Sequence, residues 1–307
     1  MLEINPEREL KLTCSIGVIA YNEAGNIIRL LEALCGQKLV HVDIAEIIVV
    51  SSACTDGMDA LVIEFARTHP QVSLICEKER SGKSSAINIF IKEAKSDILI
   101  IESGDTIPAP DTIEKLVMPF LDSKIGATGG RPTPVNDEKT LMGYAVHLLW
   151  RLHHRMALKH PKLGEMIAFR RLFSQIPKDS AVDEASIEAL VRNQRLKLQY
   201  VPDAIIYNKG PETFRDWIKQ RRRIQNGHLW LLHKHNYRVS SQEGGILMQI
   251  MLDEMKERPT QIFKMIIVML MEVYCRLLGS YDYKVKKKNP FAWDISSSTK
   301  NLNNPPR

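Results

Sequence analysis

Along the first hundred positions, apolar residues gather in short unbroken runs, each followed by a polar loop and then an amphipathic stretch. KLTCSIGVIA is such a run, and YNEAGN and IIRLLEALCGQ follow it. IAEIIVV leads through SSACTDG into MDALVIEFARTHP, VSLICEKE leads through SGK into SSAINIFIKEAK, and DILIIES closes the series. A continuous apolar run predicts a strand covered on both faces. Alternation of such strands with helices predicts an α/β fold with a doubly wound, mostly parallel sheet. Ligands of such sheets bind outside the carboxyl ends of the strands, where YNEAGN, SSACTDG, ERSGKSS and SGDT all fall.

Beyond Pro110 the pattern predicts a helix over TIEKLVMPFLDS, a strand at IGATGG, a long helix from Glu138 to about His160 and a returning strand in GEMIAFRRLF. A polar-started helix over SAVDEASIEALVRNQ follows, then a strand pair around the Pro-Asp turn of LKLQYVPDAIIYN. A helix over PETFRDWIKQRRRIQNGHLWLLHKH begins just past Pro211. From about Tyr237 the chain changes to two Met-rich helical segments, the basic run KVKKKNP and a Ser/Asn/Pro-rich tail. The expected division is therefore residues 1–236 as one domain and 237–307 as a helical C-terminal extension.

Composition narrows this picture modestly. A net charge of +6 allows an anionic partner, whether nucleotide phosphates, an acidic lipid surface or nucleic acid, and is too mild to choose among them. The five cysteines include no C-x-x-C pair, which argues against a zinc site or disulfide framework and for a reducing compartment. MLEINPERELK lacks the apolar core of a leader peptide, and no run of about 18 uncharged apolar residues suggests a membrane span. In QIFKMIIVMLMEVYCRLLG, Lys264, Glu272 and Arg276 share one helical face and the rest is almost wholly apolar. Such a stripe suits packing on the domain, a homodimer, or a membrane interface with KVKKK among the headgroups.

The candidate chemistry sits in the strand-exit loops. In ILIIESGDTIPAP, Glu102 and Asp105 follow a buried run, where a hard cation such as Mg2+ or Mn2+ finds carboxylate oxygen. Alternation along an extended backbone turns Glu102 away from the face of Ser103. SGKSS resembles a Walker A loop, but Glu77 stands where that motif needs a glycine. His153 and His154 are neighbours on a helix and point about 100° apart, too far to chelate one metal. Asn22 and Glu23 could simply cap the helix IIRLL.

AYNEAGNI, TDGM, RSGKSSAIN, SGDTIPAP, GGRPTP, GEMIAFRR, VDEASIE, YVPDA and QRRRIQNGH occur in this order between Lys11 and His235. Together they resemble a family-2 glycosyltransferase of the GT-A fold, a Rossmann-like sheet flanked by helices. The resemblance implies transfer of a sugar, with inversion, from a nucleotide-diphosphate donor (a UDP- or GDP-sugar) to an acceptor hydroxyl, with a divalent cation. It implies nucleotide contacts from Tyr21, Asn22, Glu23 and Asp56, and from Arg80 and Lys83 at the phosphates. Asp105 would hold the cation and His228 would add a ligand; Glu184 or its companion Asp183 would be the base. Glu165 would touch the acceptor, and Gln220, Arg222 and Arg223 the diphosphate or a charged acceptor.

The chain departs from the family pattern at three places. Ser51 and Ser52 replace two acids of the second loop, Ser103 replaces the first acid of an Asp-x-Asp pair, and Ile224 replaces a Trp that polymerising members use to bind glycan. The expected acceptor is a glycan or lipid-linked sugar, with no nucleic-acid partner, and the expected location is cytoplasmic, peripheral at the inner face of the cell membrane. Two rival readings are a sugar-nucleotide-binding protein without activity, suggested by the altered loops, and a P-loop NTPase.

Overall fold

The computed structural model describes residues 11–180, 182–237, 244–287, 299 and 302, so most of the polar tail, with the basic run beyond Lys287, lies outside the described residues. The first half follows the apolar runs: β1 (Leu12–Ala20), α1 (Ile27–Cys35), β2 (Val42–Ser51), α2 (Met58–Ala66), β3 (Val72–Cys76), α3 (Lys83–Glu93) and β4 (Ile98–Ser103). β1 pairs in parallel with β2 and β4, and β2 with β3. Successive residues of these strands serve opposite cores. Val49 packs with Ile16, Val18 and Leu30, whereas Val50 packs with Ile87, Phe90 and Leu99. This is why the runs are apolar throughout rather than alternating. Gly17 is required by a close approach, since a Cβ there would lie 2.4 Å from the Phe90 ring.

The second half comprises β5 (Thr106–Pro108), α4 (Thr112–Val117), β6 (Ile125–Pro134), α5 (Leu141–Lys159), β7 (Ile167–Arg170), α6 (Asp183–Asn193) and β8 (Lys197–Asn208). One eight-stranded sheet results, in the order β3-β2-β1-β4-β7-β6-β8-β5. β7 runs antiparallel to both β4 and β6, so the fully parallel half ends at β4. The expected strand pair around Pro202 is instead the single strand β8. Its register against β6 jumps from Gly129↔Tyr200 to Arg131↔Ile205, leaving Pro202-Asp203 in a bulge. A proline has no N–H for the ladder and is tolerated at such a place.

α7 (Phe214–His235) starts at Thr213, whose hydroxyl accepts from the Asp216 N–H. α8 (Gly244–Glu257) and α9 (Ile262–Lys284) follow. They are fastened to the domain rather than appended to it. Arg151 of α5 pairs with the buried Glu254 of α8 at 2.7 Å, Arg221 of α7 grips Glu272 of α9 through two bonds of 2.8 and 2.7 Å, and Arg222 pairs with Asp282. Tyr144, Trp217, Met265, Val268 and Cys275 form the apolar core between α5, α7 and α9. The opposite face of α9 leaves Phe263, Leu270 and Leu277 exposed. Among the described residues no helix is long and apolar enough to cross a membrane.

Candidate active site

The strand exits and the helices α5 to α9 enclose a cavity of about 730 Å³. Tyr21 and Glu23 reach it from the end of β1, Ser52 from β2, Arg80 and Lys83 from the loop after β3, and Ser103 and Asp105 from β4. Glu165 enters before β7, Asp183 and Glu184 from the first turn of α6, and Gln220, Arg223 and His228 from α7. Loops scattered over two hundred residues thus converge because parallel strands all end on one edge of the sheet.

At the donor end, the Arg80 guanidinium lies over the Tyr21 ring, 4.1 Å from its centroid. Glu23 is buried and accepts from the Asn26 amide at 2.9 Å. Gly104 lets this loop close down, because a Cβ would sit 2.9 Å from Glu23 Cγ. Asn22 and Asp56 lie beside the cavity rather than in its lining. Asn22 takes a positive φ of 54° and its Oδ1 accepts from the Thr55 N–H at 2.8 Å. Asp56 accepts from the Ala24 N–H at 2.8 Å and the Met58 N–H at 3.1 Å. Both side chains tie the first loop to the second. The helix-capping alternative for Asn22 also falls, since α1 starts at Asn26.

The acid missing from the second loop has a neighbour that the sequence reading used only to test the Walker A resemblance. Glu77 accepts from the Ser52 hydroxyl at 2.7 Å and the Ser85 hydroxyl at 2.6 Å. An acid bonded to Ser85, the residue after the Gly82-Lys83-Ser84 triplet, sets negative charge against phosphate in that loop and argues against the P-loop reading. Lys83 is also turned elsewhere. Its ammonium sits 2.8 Å from Asp183 and 3.3 Å from Glu184. Burial opposes its charge, but these two acids outweigh burial and raise its pKa. Without a nucleotide, Lys83 bridges the two acids at the cavity wall.

Asp183 is almost fully enclosed, whereas the Glu184 side chain is 33% exposed. Burial and the adjacent Asp183 raise the Glu184 pKa. Glu165 is pushed up to about 7 by burial, then by Glu184 and Asp105. Glu102 turns away from the cavity, as alternation requires, and accepts the Thr106 hydroxyl in the core; burial raises its pKa well above the ordinary range. The acids facing the cavity here, Asp105, Glu165, Asp183 and Glu184, outnumber the cations Lys83 and Arg223 around them. A hard divalent cation fits that excess of oxygen donors. Among the described residues no three His, Cys, Asp or Glu side chains converge as a ready-made cage. Asp105 would therefore be the protein's ligand, with the remaining oxygens supplied by substrate.

His228 does not join this group, a correction to its expected metal contact. Its half-buried ring lies among Lys162, Arg221 and Arg276, and burial followed by those cations lowers its pKa to about 3. A place already crowded with positive charge is a poor one for a metal ion. Arg222 is likewise corrected, since it lies outside the cavity lining and pairs with Asp282. Its neighbour Arg221 lines the cavity instead. Helical spacing could have revealed this, because Arg221, Ile224 and His228 recur at i, i+3 and i+7 on one face. His153 and His154 serve packing: His153 contacts Trp150 and Tyr200 edge-on, and His154 Nδ1 pairs with the Tyr200 hydroxyl at 2.8 Å.

A family model, "Glycosyl transferase family 2", matches residues 15–177. The chain is 28% identical over 238 residues to the probable glycosyltransferase YdaM of Bacillus subtilis, covering 72% of this chain and 56% of that protein. It is 24% identical over 226 residues to the poly-beta-1,6-N-acetyl-D-glucosamine synthase of Staphylococcus aureus, covering 69% and 54%. The chain thus spans about half the length of these curated relatives. Among solved structures, a mannosyltransferase of Pyrobaculum calidifontis in complex with GDP-Man and Mn2+ superposes with a TM-score of 0.65 at 21% identity, covering 91% of this chain and 88% of that one. This likeness shows a shared GT-A fold.

Proposed function

The chain belongs to glycosyl transferase family 2, and from that premise we propose that it transfers a sugar from a nucleotide-diphosphate donor to an acceptor hydroxyl with inversion. One observation carries this reading: a single cavity joins the strand-exit loops bearing Tyr21, Arg80 and Asp105 to the acid pair at the start of α6. The nucleotide lies along Tyr21, Glu23, Ser52 and Arg80. UDP- and GDP-sugars both remain candidates, and the structural neighbour holding GDP-Man makes GDP the first to try. A divalent cation, Mg2+ or Mn2+, bound by Asp105 and the donor's phosphate oxygens would neutralise charge on the departing diphosphate. Arg223, drawn toward Asp183, Glu184 and Asp105, adds positive charge on the same side.

Glu184 serves as the base. It stands open to the cavity while Asp183 and Lys83 fix its position. It accepts the acceptor hydroxyl proton as that oxygen bonds to the anomeric carbon and the bond to the diphosphate breaks on the opposite face. A carboxylate suffices because the hydroxyl becomes acidic only as the new bond forms. Glu165, at the same end of the cavity, contacts the acceptor sugar. The enzyme lies peripherally on the cytoplasmic face of the membrane. The exposed apolar face of α9 sits beside Lys284, Lys286 and Lys287, a pairing of apolar and cationic groups that suits an anionic lipid surface.

The test is transfer from a panel of UDP- and GDP-sugars with Mn2+, comparing the wild type with Asp105→Ala and Glu184→Gln. Loss of turnover in both variants is expected. Unchanged turnover in both would overturn the site assignment, and donor binding without turnover on any acceptor would favour an inactive sugar-nucleotide binder.

A further inference from the structure

Toward α7 and α9, the wall of the same cavity carries a group of cations. Lys162, Arg221 and Arg276 line the wall together with His228. Arg221 and Arg276 both bind Glu272, Arg276 at 2.8 Å, so with Glu188 on the same wall two carboxylates stand against three cations. Burial opposes the charge of Glu272 less than the two arginines favour it, and its pKa falls to about 2. His228 is neutral and adds no charge.

Lys162 is the informative residue. Among the described residues its ammonium has no ion pair and no hydrogen bond. Its nearest acid is Glu188, whose two oxygens accept from the Leu163 N–H at 2.5 Å and the Tyr237 hydroxyl at 2.9 Å. Burial, with Arg221 and Arg276 nearby, lowers the Lys162 pKa. Holding an unpaired ammonium among like charges costs stability unless an anion joins them. The adjoining wall, Met251, Met265, Val268, Met269 and Val273, is apolar and rich in unbranched thioethers, a surface that adapts to a flexible hydrocarbon.

We propose that Lys162 and Arg276 form a subsite for a phosphate group carried by the acceptor, held away from the point of transfer at Glu184. This rests on the glycosyltransferase reading and adds a chemical class of acceptor to it. The phosphate is a handle: it remains bonded to the acceptor, and the acceptor hydroxyl reacts elsewhere in the cavity. A lipid phosphate would lay its chain along the methionine wall, whereas a water-soluble sugar phosphate would use only the cations.

The test is binding of geranyl phosphate, geraniol and inorganic phosphate by calorimetry on the full chain, with and without saturating GDP or UDP and Mn2+. Because it reads binding and not turnover, it stands apart from the outcome of the transfer assay. Geranyl phosphate should bind with nucleotide present, geraniol at least tenfold more weakly, and Lys162→Met should cost geranyl phosphate about tenfold while nucleotide affinity stays unchanged. Lys162→Met should melt no lower than the wild type, so a folding defect is distinguishable. Equal affinity of inorganic and geranyl phosphate would keep the subsite and assign it to water-soluble acceptors. Equal affinity of geraniol and geranyl phosphate, no effect of Lys162→Met, or competitive displacement by the nucleotide would overturn the proposal.

Discussion

At the scale of single residues, the acid pair shows how position divides labour between neighbours of like chemistry. Asp183 is enclosed against Lys83, and Glu184 keeps access to the cavity. Glu184→Gln should lower the transfer rate by about 10²- to 10⁴-fold while calorimetric affinity for the donor nucleotide is kept. Near-normal turnover in that variant would move the base elsewhere. Glu165 gives a pH signature. Its pKa is about 7 in the fold against an ordinary 4.5, so the native state holds the proton more tightly than the unfolded chain. Stability should therefore fall as pH rises between those values, by ~2 kcal/mol once water in the cavity is allowed for. Thermal melts in EDTA from pH 5 to 8 should show this slope, and Glu165→Gln should flatten it.

The residue types at the strand exits were legible because loops at one sheet edge must converge. Their bonding was not. Nothing in the order of letters says that Asp56 would be consumed by the Ala24 and Met58 N–H groups, or that Lys83 would find Asp183 a hundred residues away. Those partners are set by tertiary packing, which a local pattern does not encode.

At the scale of elements, periodicity located β1 to β4 and their helices well, since burial on both faces writes itself as uninterrupted apolar runs. It failed at β5, whose three residues are too few to show a period, and at β8, where a proline within a bulge looked like a turn. The family resemblance, not periodicity, put Arg222 rather than Arg221 of α7 at the cavity. Arg222 instead fastens α9 through Asp282, whose side chain is 7% exposed. Arg222→Ala would strand that buried carboxylate and should cost about 3–5 kcal/mol, read as a lower urea midpoint. Because Arg222 lies outside the cavity, KM for the donor should stay near the wild-type value, whereas Arg223→Ala should raise it or lower kcat. A donor defect in Arg222→Ala with normal stability would contradict this placement.

At the scale of the whole molecule, the expected boundary near residue 236 is bridged by buried ion pairs and a common core, and α8 and α9 supply part of the cavity wall. The outer face of α9 remains apolar, with Phe263 75% and Leu270 and Leu277 each 65% exposed. Replacing these three with Glu should abolish cosedimentation with vesicles containing anionic phospholipid while leaving turnover on a water-soluble acceptor intact. Unaltered cosedimentation would exclude this face as the lipid contact, and a fall from dimer to monomer on a sizing column would assign it to self-association.

The wall contributed by α9 has a consequence for how the protein is made. Synthesis runs from the N-terminus, so the loops carrying Asp105, Asp183 and Glu184 leave the ribosome before residues 262–284. Until α9 docks, Arg221 and Arg222 lack Glu272 and Asp282, and the cavity lacks the wall of Met265, Val268 and Met269. The cavity wall is therefore completed late in synthesis, only after α9 has arrived.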